Sequence, residues 1–127
     1  MAVTHPTAVR DAVCNLVVDL LDAESPTVGN IILQTSGSVE VATLPLTDGA
    51  FGDSASGVAT ANAITSDTSA TGGTIAKFVF QDGAGSPLPV FYGAIALSAS
   101  DMNSPGGLIL GAGDTVGITA FTYEAMP

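Results

Sequence analysis

The chain has 127 residues, of which 46% are hydrophobic and only 11% are charged, and this balance excludes an intrinsically disordered protein. Twelve acidic residues against two basic ones give a formal charge of −10, the wrong sign for binding nucleic-acid phosphates or an anionic membrane. The length suits one domain over residues 1–127, and 15 glycines among short apolar runs are typical of a mainly β chain.

The first predicted element is an α-helix over residues 6–24, the segment with the clearest helical period. Around a helix axis, Asp11, Asn15, Asp19 and Asp22 fall in one narrow polar arc. The remaining apolar surface is wider than contact with a single core requires, so we predict that the helix packs on its own sheet and also on a partner. The residues predicted to face the core are Val9, Ala12, Val13, Leu16 and Leu20, and those predicted to contact the partner are Cys14, Val17, Val18 and Leu21.

Beyond the helix, short apolar runs separated by turn residues predict an antiparallel β-sandwich or a jelly-roll-like barrel over about residues 30–124. The first two runs form a hairpin, and a change of side-chain parity at Ala42 and Thr43 predicts a bulge in its second strand. The third and fourth runs form another hairpin around an Asp-Gly turn. The predicted strands are 30–35, 38–46, 75–81, 88–97, 108–110 and 115–124.

Residues 47–74 form a long excursion composed almost entirely of Gly, Ala, Ser, Thr, Asn and Asp. A structureless loop of this length is unusual inside a compact domain, so we predict partial order, with a weak strand in GVATANAI. Phe51 is predicted to pin the excursion to the body of the protein. Two interpretations stay open, a segment that reaches a neighbouring molecule and a surface loop without function. On the first interpretation, the candidate protein interface consists of Phe51 together with Cys14, Val17, Val18 and Leu21.

The sequence offers little that could perform catalysis. His5, the only histidine, has no neighbouring nucleophile or metal ligand, and Cys14 is interpreted as a buried thiol. Gly111-Ala-Gly113 lacks the third glycine of a dinucleotide fingerprint, and the Asp-rich turns, Asp101-Met-Asn103 included, lack the pattern of a calcium loop. A carboxylate pair for glycoside hydrolysis stays open, although aromatic platforms for sugars are few. We predict no catalytic, cofactor or metal site, no signal peptide and no membrane span.

Four stretches of the chain carry a family resemblance. They are MAV at the start, VVDLLDA in the predicted helix, TLPLTDGAFGDSASGVATANAITSDTSATGGTIAKFVFQDG across the middle, and AGDTVGITAFTY near the end. On these stretches the chain resembles the small virion structural proteins encoded in the head and tail gene modules of tailed bacteriophages.

The resemblance implies a non-enzymatic protein of the virion, assembled in the cytoplasm of the bacterial host. Small, acidic, β-rich proteins of this kind are similar to capsid decoration, or cement, proteins, which bind the outer shell and bridge capsomers. The implied partners are the major capsid protein or another virion protein, with a homo-oligomer on the particle, and neither nucleic acid nor membrane. The alternatives are a tail, baseplate or connector subunit and, outside virion architecture, an adhesin or carbohydrate-binding β-sandwich.

Overall fold

The computed structural model describes residues 3–25, 27–96, 102–103 and 107–124. It confirms a mainly β fold with one N-terminal helix. The elements are helix α1 (Thr7–Asp19), which continues into a 3-10 turn (Leu20–Asp22), and strands β1 (Asn30–Gln34), β2 (Glu40–Pro45), β3 (Val58–Thr60), β4 (Gly73–Thr74), β5 (Lys77–Gln81), β6 (Pro89–Ala96), β7 (Met102–Asn103), β8 (Ile109–Leu110) and β9 (Thr122–Glu124).

Helix α1 begins after Pro6, which occupies the N-cap position in an extended conformation. Proline fits there because an N-terminal residue has no intrahelical acceptor for its missing N–H. The Pro6 carbonyl accepts hydrogen bonds from the backbone N–H groups of Val9 and Arg10, at 3.0 and 3.1 Å. The helix therefore starts where the sequence predicts, and its regular part ends a few residues earlier than residue 24.

The main sheet has the strand order β2-β1-β5-β6-β7 and contains both predicted hairpins, β1–β2 and β5–β6. Neighbouring strands are antiparallel except for β7, which runs parallel to β6. The register of β1 with β2 shifts so that Leu33 pairs with Ala42 while Gln34 pairs with Glu40, which leaves Val41 as an extra residue. This bulge lies one residue before the predicted one, and it turns both Val41 and Ala42 into the core.

The predicted excursion is a second layer of the fold. Strand β3 pairs with β9, and β4 pairs with β8. Between them, Ala70 N–H donates to the Asp114 carbonyl at 3.0 Å, and Asp67 and Val116 exchange two backbone hydrogen bonds. Residues 58–74 therefore run antiparallel to residues 109–124 as one broken ribbon. The part of the chain that the structure describes contains no closed barrel, so the jelly-roll-like barrel is the wrong alternative and the sandwich is the better one.

The two layers meet at a cluster of aromatic rings. Phe80 stacks on Phe91 with ring centroids 4.5 Å apart, and Phe121 from the second layer lies 4.7 Å from Phe80. Phe78 and Phe51 contact the same group edge-on or tilted. All five phenylalanines of the chain are therefore in one cluster, where each aromatic pair adds about 0.5–1.5 kcal/mol beyond the burial of its area.

Strand β2, at one edge of the main sheet, has its outer hydrogen-bonding groups occupied. The Val41 carbonyl accepts from Thr71 N–H at 2.8 Å, and the Pro45 carbonyl accepts from Thr65 N–H at 2.9 Å. Thr43 N–H donates to the carboxylate of Asp67 at 2.9 Å. Because an unpaired edge is a template for adding strands from other chains, residues 65–72 protect the sheet from edge-to-edge association.

Candidate interaction surface

The polar arc of the helix binds residues 49–57 of the excursion. Asp11 Oδ1 accepts from Gly57 N–H at 2.7 Å, and Asn15 Oδ1 accepts from Ser54 N–H at 2.9 Å. One turn beyond the end of α1, Asp22 accepts from the N–H groups of Gly49 and Ala50 at 3.1 and 3.0 Å. These acceptors satisfy backbone donors that a glycine-rich segment cannot satisfy by itself. Residues 49–57 of the excursion are thereby held against the helix.

The remaining hydrogen bonds of this contact run from the excursion to the helix backbone and from Arg10 to the excursion. Ser54 Oγ donates to the Asp11 carbonyl at 3.0 Å, and Arg10 Nη2 donates to the Ser56 carbonyl at 2.9 Å. Ser56 has a positive φ of 53°, and the following Gly57 one of 80°, which together form the turn that presents these groups.

The apolar sector beside the polar arc faces the core, which corrects the predicted interface. Cys14, Val18 and Leu21 are all at most 1% exposed, and Phe51 is buried in the aromatic cluster. Val17 is half-buried. The prediction placed Val9, Ala12, Val13, Leu16 and Leu20 on the core and the sector of Cys14, Val17, Val18 and Leu21 on a partner. The polar arc faces the excursion, so the adjacent sector turns inward, and Cys14, Val18, Leu21 and Phe51 are not free to meet a partner.

The sector predicted to face the core is on the surface instead. Leu16 is 66% exposed and Leu20 is 48% exposed, and Val9 lies on the same face about two turns before Leu16. Ala12 is exposed between them, and Val13 is half-buried at the border. We call Val9, Ala12, Leu16 and Leu20 the helix stripe. It spans 11 residue steps, or about 16 Å along the helix axis. A stripe of this kind is an unusual surface for a helix packed on its own sheet.

Catalytic groupings are scarce in the described ranges. His5 is exposed on the lead-in to the helix, and no group of three His, Cys, Asp or Glu side chains there is arranged to hold a metal ion. Gly111 and Gly113 flank a turn closed by Asp114, whose Oδ2 accepts from Gly111 N–H at 2.7 Å. Of the predicted turn at Asp101-Met-Asn103, Asp101 lies outside the described residues. No helix among them is long and apolar enough to cross a membrane.

The surroundings of Tyr123 shift the pKa of its phenol. Burial raises the pKa of Tyr123, and the charge of Cys14 raises it further. The two residues meet where β9 crosses the helix, since Cys14 Sγ lies 3.5 Å from the Tyr123 carbonyl oxygen. A phenol whose pKa is raised stays neutral at physiological pH. The ring of Tyr123 packs on Phe91, with the ring centroids 4.7 Å apart.

No protein-family model, curated protein or solved structure matches this chain.

Proposed function

We propose that this protein is a non-enzymatic structural subunit of a tailed-phage virion that decorates the outer shell of the capsid. The sequence resemblance supplies the class of protein. The observation that carries the assembly role is the helix stripe, an apolar face on an element whose other two faces are bound to the core and to the excursion. Apolar surface of this kind gains free energy when a partner covers it.

The use of the acidic side chains supports a structural role. Asp11, Asp22, Asp67, Asp82 and Asp114 all accept hydrogen bonds from backbone N–H groups of the chain itself. A carboxylate held in this way is occupied with fixing a loop rather than with polarising a substrate. The acids of this chain thus stabilise a rigid framework, which is what a subunit of a protein shell requires.

The partner that best fits the helix stripe is larger than a second copy of the chain. Two short helices packed face to face bury well under the 1,200 Å² or so that stable interfaces usually need. Two copies also each carry a charge of −10 and repel each other at low salt. A neutral or basic capsid lattice has neither difficulty, because neighbouring capsomers add area on both sides of the stripe.

The test is to mix the purified protein with capsids that lack it and to measure bound copies and the temperature of genome release. We expect saturation at a copy number that scales with the number of capsomers, and a higher release temperature. Leu16→Asp, in the helix stripe, should abolish both effects. Ile109→Asp is the matched control, since Ile109 is also an exposed apolar residue, at 80% against 66% for Leu16, but lies on β8.

Binding of a few copies at one vertex or on the tail, without a change in shell stability, would reject decoration of the shell in favour of a tail, baseplate or connector subunit. Equal binding by the Leu16→Asp variant and the unmodified protein would reject the helix stripe as the docking surface.

A further inference from the structure

A second surface lies on the main sheet, on the face of β5 that carries Lys77, Val79 and Gln81. An open groove of about 610 Å³ crosses β1, β5 and β6 there. Its lining includes Gln34, Lys77, Val79, Gln81, Pro89 and Tyr92, and we call it the sheet groove.

An aromatic ring stands in the sheet groove with most of its surface in solvent. Tyr92 is 77% exposed and lies on β6, at a position where β6 pairs with β5, since β7 pairs only with Ile95 and Ala96. Its cross-strand partner on β5 is Val79, which is 8% exposed and also lines the groove. The groove therefore offers an apolar floor beside a planar ring, the kind of surface on which the apolar face of a flat ligand stacks.

Polar groups flank the ring on the same face. Lys77, Val79 and Gln81 alternate along β5, so their side chains leave the sheet on one side at intervals of about 6.8 Å. Gln34 pairs with Lys77 from the neighbouring strand β1. Two side-chain amides and an ammonium group thus line the same groove as the ring, and they supply both donors and acceptors. A ligand rich in hydroxyl groups matches this set.

The charge of the sheet groove is opposite to that of the whole molecule. The chain has two basic residues, and Arg10 is bound to the Ser56 carbonyl at the helix. The other, Lys77, is in the groove, and the described residues that line it include no Asp or Glu. Lys77 Nζ donates one hydrogen bond to Ser38 Oγ, which fixes the ammonium group and leaves two donors for a ligand. The groove therefore favours a ligand with a negative charge.

From these features we infer that the sheet groove binds an acidic oligosaccharide. A pyranose ring stacks on Tyr92, its hydroxyl groups exchange hydrogen bonds with Gln34 and Gln81, and its carboxylate pairs with Lys77. The inference does not depend on a role in the capsid, because the groove and the helix stripe are on different elements.

The test is to titrate the full-length protein with a hexamer of galacturonic acid and, in parallel, with the same hexamer methylated on every carboxyl group. The two probes share their rings and hydroxyl groups and differ in charge. We expect the acidic hexamer to bind about tenfold more tightly than the ester at physiological salt. There the repulsion by the net charge of −10 is screened beyond about 8 Å, while a hydrogen bond from Lys77 to a charged group is still worth more than one to a neutral group.

Three variants locate the binding. Tyr92→Ala should weaken both hexamers at least tenfold, whereas Tyr92→Phe should keep both affinities. Lys77→Gln should lower the affinity for the acidic hexamer to that for the ester and leave the ester unchanged. Ile109→Ala, an exposed apolar residue outside the groove, is the control and should bind both hexamers normally. Urea unfolding of each variant verifies that it is folded.

Absence of binding to either hexamer at millimolar concentration would overturn the inference. So would unchanged binding by Tyr92→Ala, or tighter binding of the ester than of the acid. A dimer in sedimentation that Tyr92→Ala dissociates would also overturn it, because the groove would then be a contact between two copies.

Discussion

At the scale of single residues, carboxylate and amide side chains replace the backbone pairing that this glycine-rich chain lacks. Asp82 Oδ1 accepts from the N–H groups of Ala84 and Leu88, at 3.2 and 3.0 Å, and so closes the turn between β5 and β6. It is 7% exposed, and such a carboxylate is tolerated in a core only when donors surround it. Some of the acidic residues of the chain therefore stabilise its fold, in addition to contributing charge to its surface.

Asp67 allows the contribution of one such carboxylate to the free energy of unfolding to be tested. Its Oδ2 accepts from Thr43 N–H on the edge strand β2, and its Oδ1 accepts from Ser69 N–H at 2.8 Å. Asp67→Ala leaves both donors without an acceptor and opens the edge of β2 at Thr43. We expect a loss of about 1–3 kcal/mol in the free energy of unfolding, measured in urea, and faster aggregation of the native protein, measured by light scattering.

Asp53→Ala is the control for this change, because Asp53 is exposed in the excursion. Its unfolding free energy should stay within about 0.5 kcal/mol of that of the unmodified protein. If Asp53→Ala and Asp67→Ala lose the same stability, the edge-protecting role of Asp67 is wrong.

At the scale of elements, the helix shows what sequence reasoning reached and where it stopped. The period of the segment predicted a helix with one polar and two apolar sectors, and all three exist. Which of the two apolar sectors faces the core depends on whether the polar arc faces solvent or another part of the chain. A polar arc normally marks the solvent side, but here it binds backbone N–H groups of a segment more than 25 residues away. The pattern of polar and apolar residues within the helix does not indicate that long-range contact.

The hairpins were predictable because their contacts are local in sequence. Each of them joins strands that are neighbours in sequence, so alternation and turn residues determine the pairing. The second layer joins β3 to β9 and β4 to β8, which are distant in sequence. A weak strand in GVATANAI and strands over 108–110 and 115–124 were predicted, but the sequence did not show that these segments pair with each other. The sheet groove escaped prediction as well, because its residues come from two hairpins whose relative register the sequence does not give.

Two aspartate substitutions in the helix separate its sectors. Val18→Asp places a charge at a position 1% exposed and should unfold the protein, since a buried unpaired charge costs several kcal/mol. Leu16→Asp, at a position 66% exposed, should leave the thermal transition within a few degrees of its original temperature. Circular dichroism melting of both variants is the measurement. Retention of the fold by Val18→Asp would show that this side chain does not belong to the core.

At the scale of the whole molecule, the two layers differ in how far apart their paired strands lie in sequence. The β1–β2 and β5–β6 hairpins are local, whereas the ribbon of 58–74 with 109–124 closes a long loop. Distant pairings form late because the entropy of loop closure comes before the stabilising contacts. In pulsed hydrogen exchange during refolding, we expect amides of β1 and β5 to gain protection before those of β3 and β9. Simultaneous protection of all four strands would contradict this order.

The late ribbon also gives the composition of residues 58–74 a meaning during synthesis on the ribosome. This segment emerges from the ribosome well before its partner strand β9, and until then its backbone donors and acceptors are unsatisfied. A run of Val, Ile and Phe with an unpaired backbone would be a site for aggregation. Gly, Ala, Ser and Thr leave the backbone equally available for pairing but expose little apolar side-chain surface to another nascent chain. The segment that looks least like a strand is therefore well suited to remain unpaired until β9 has been synthesised.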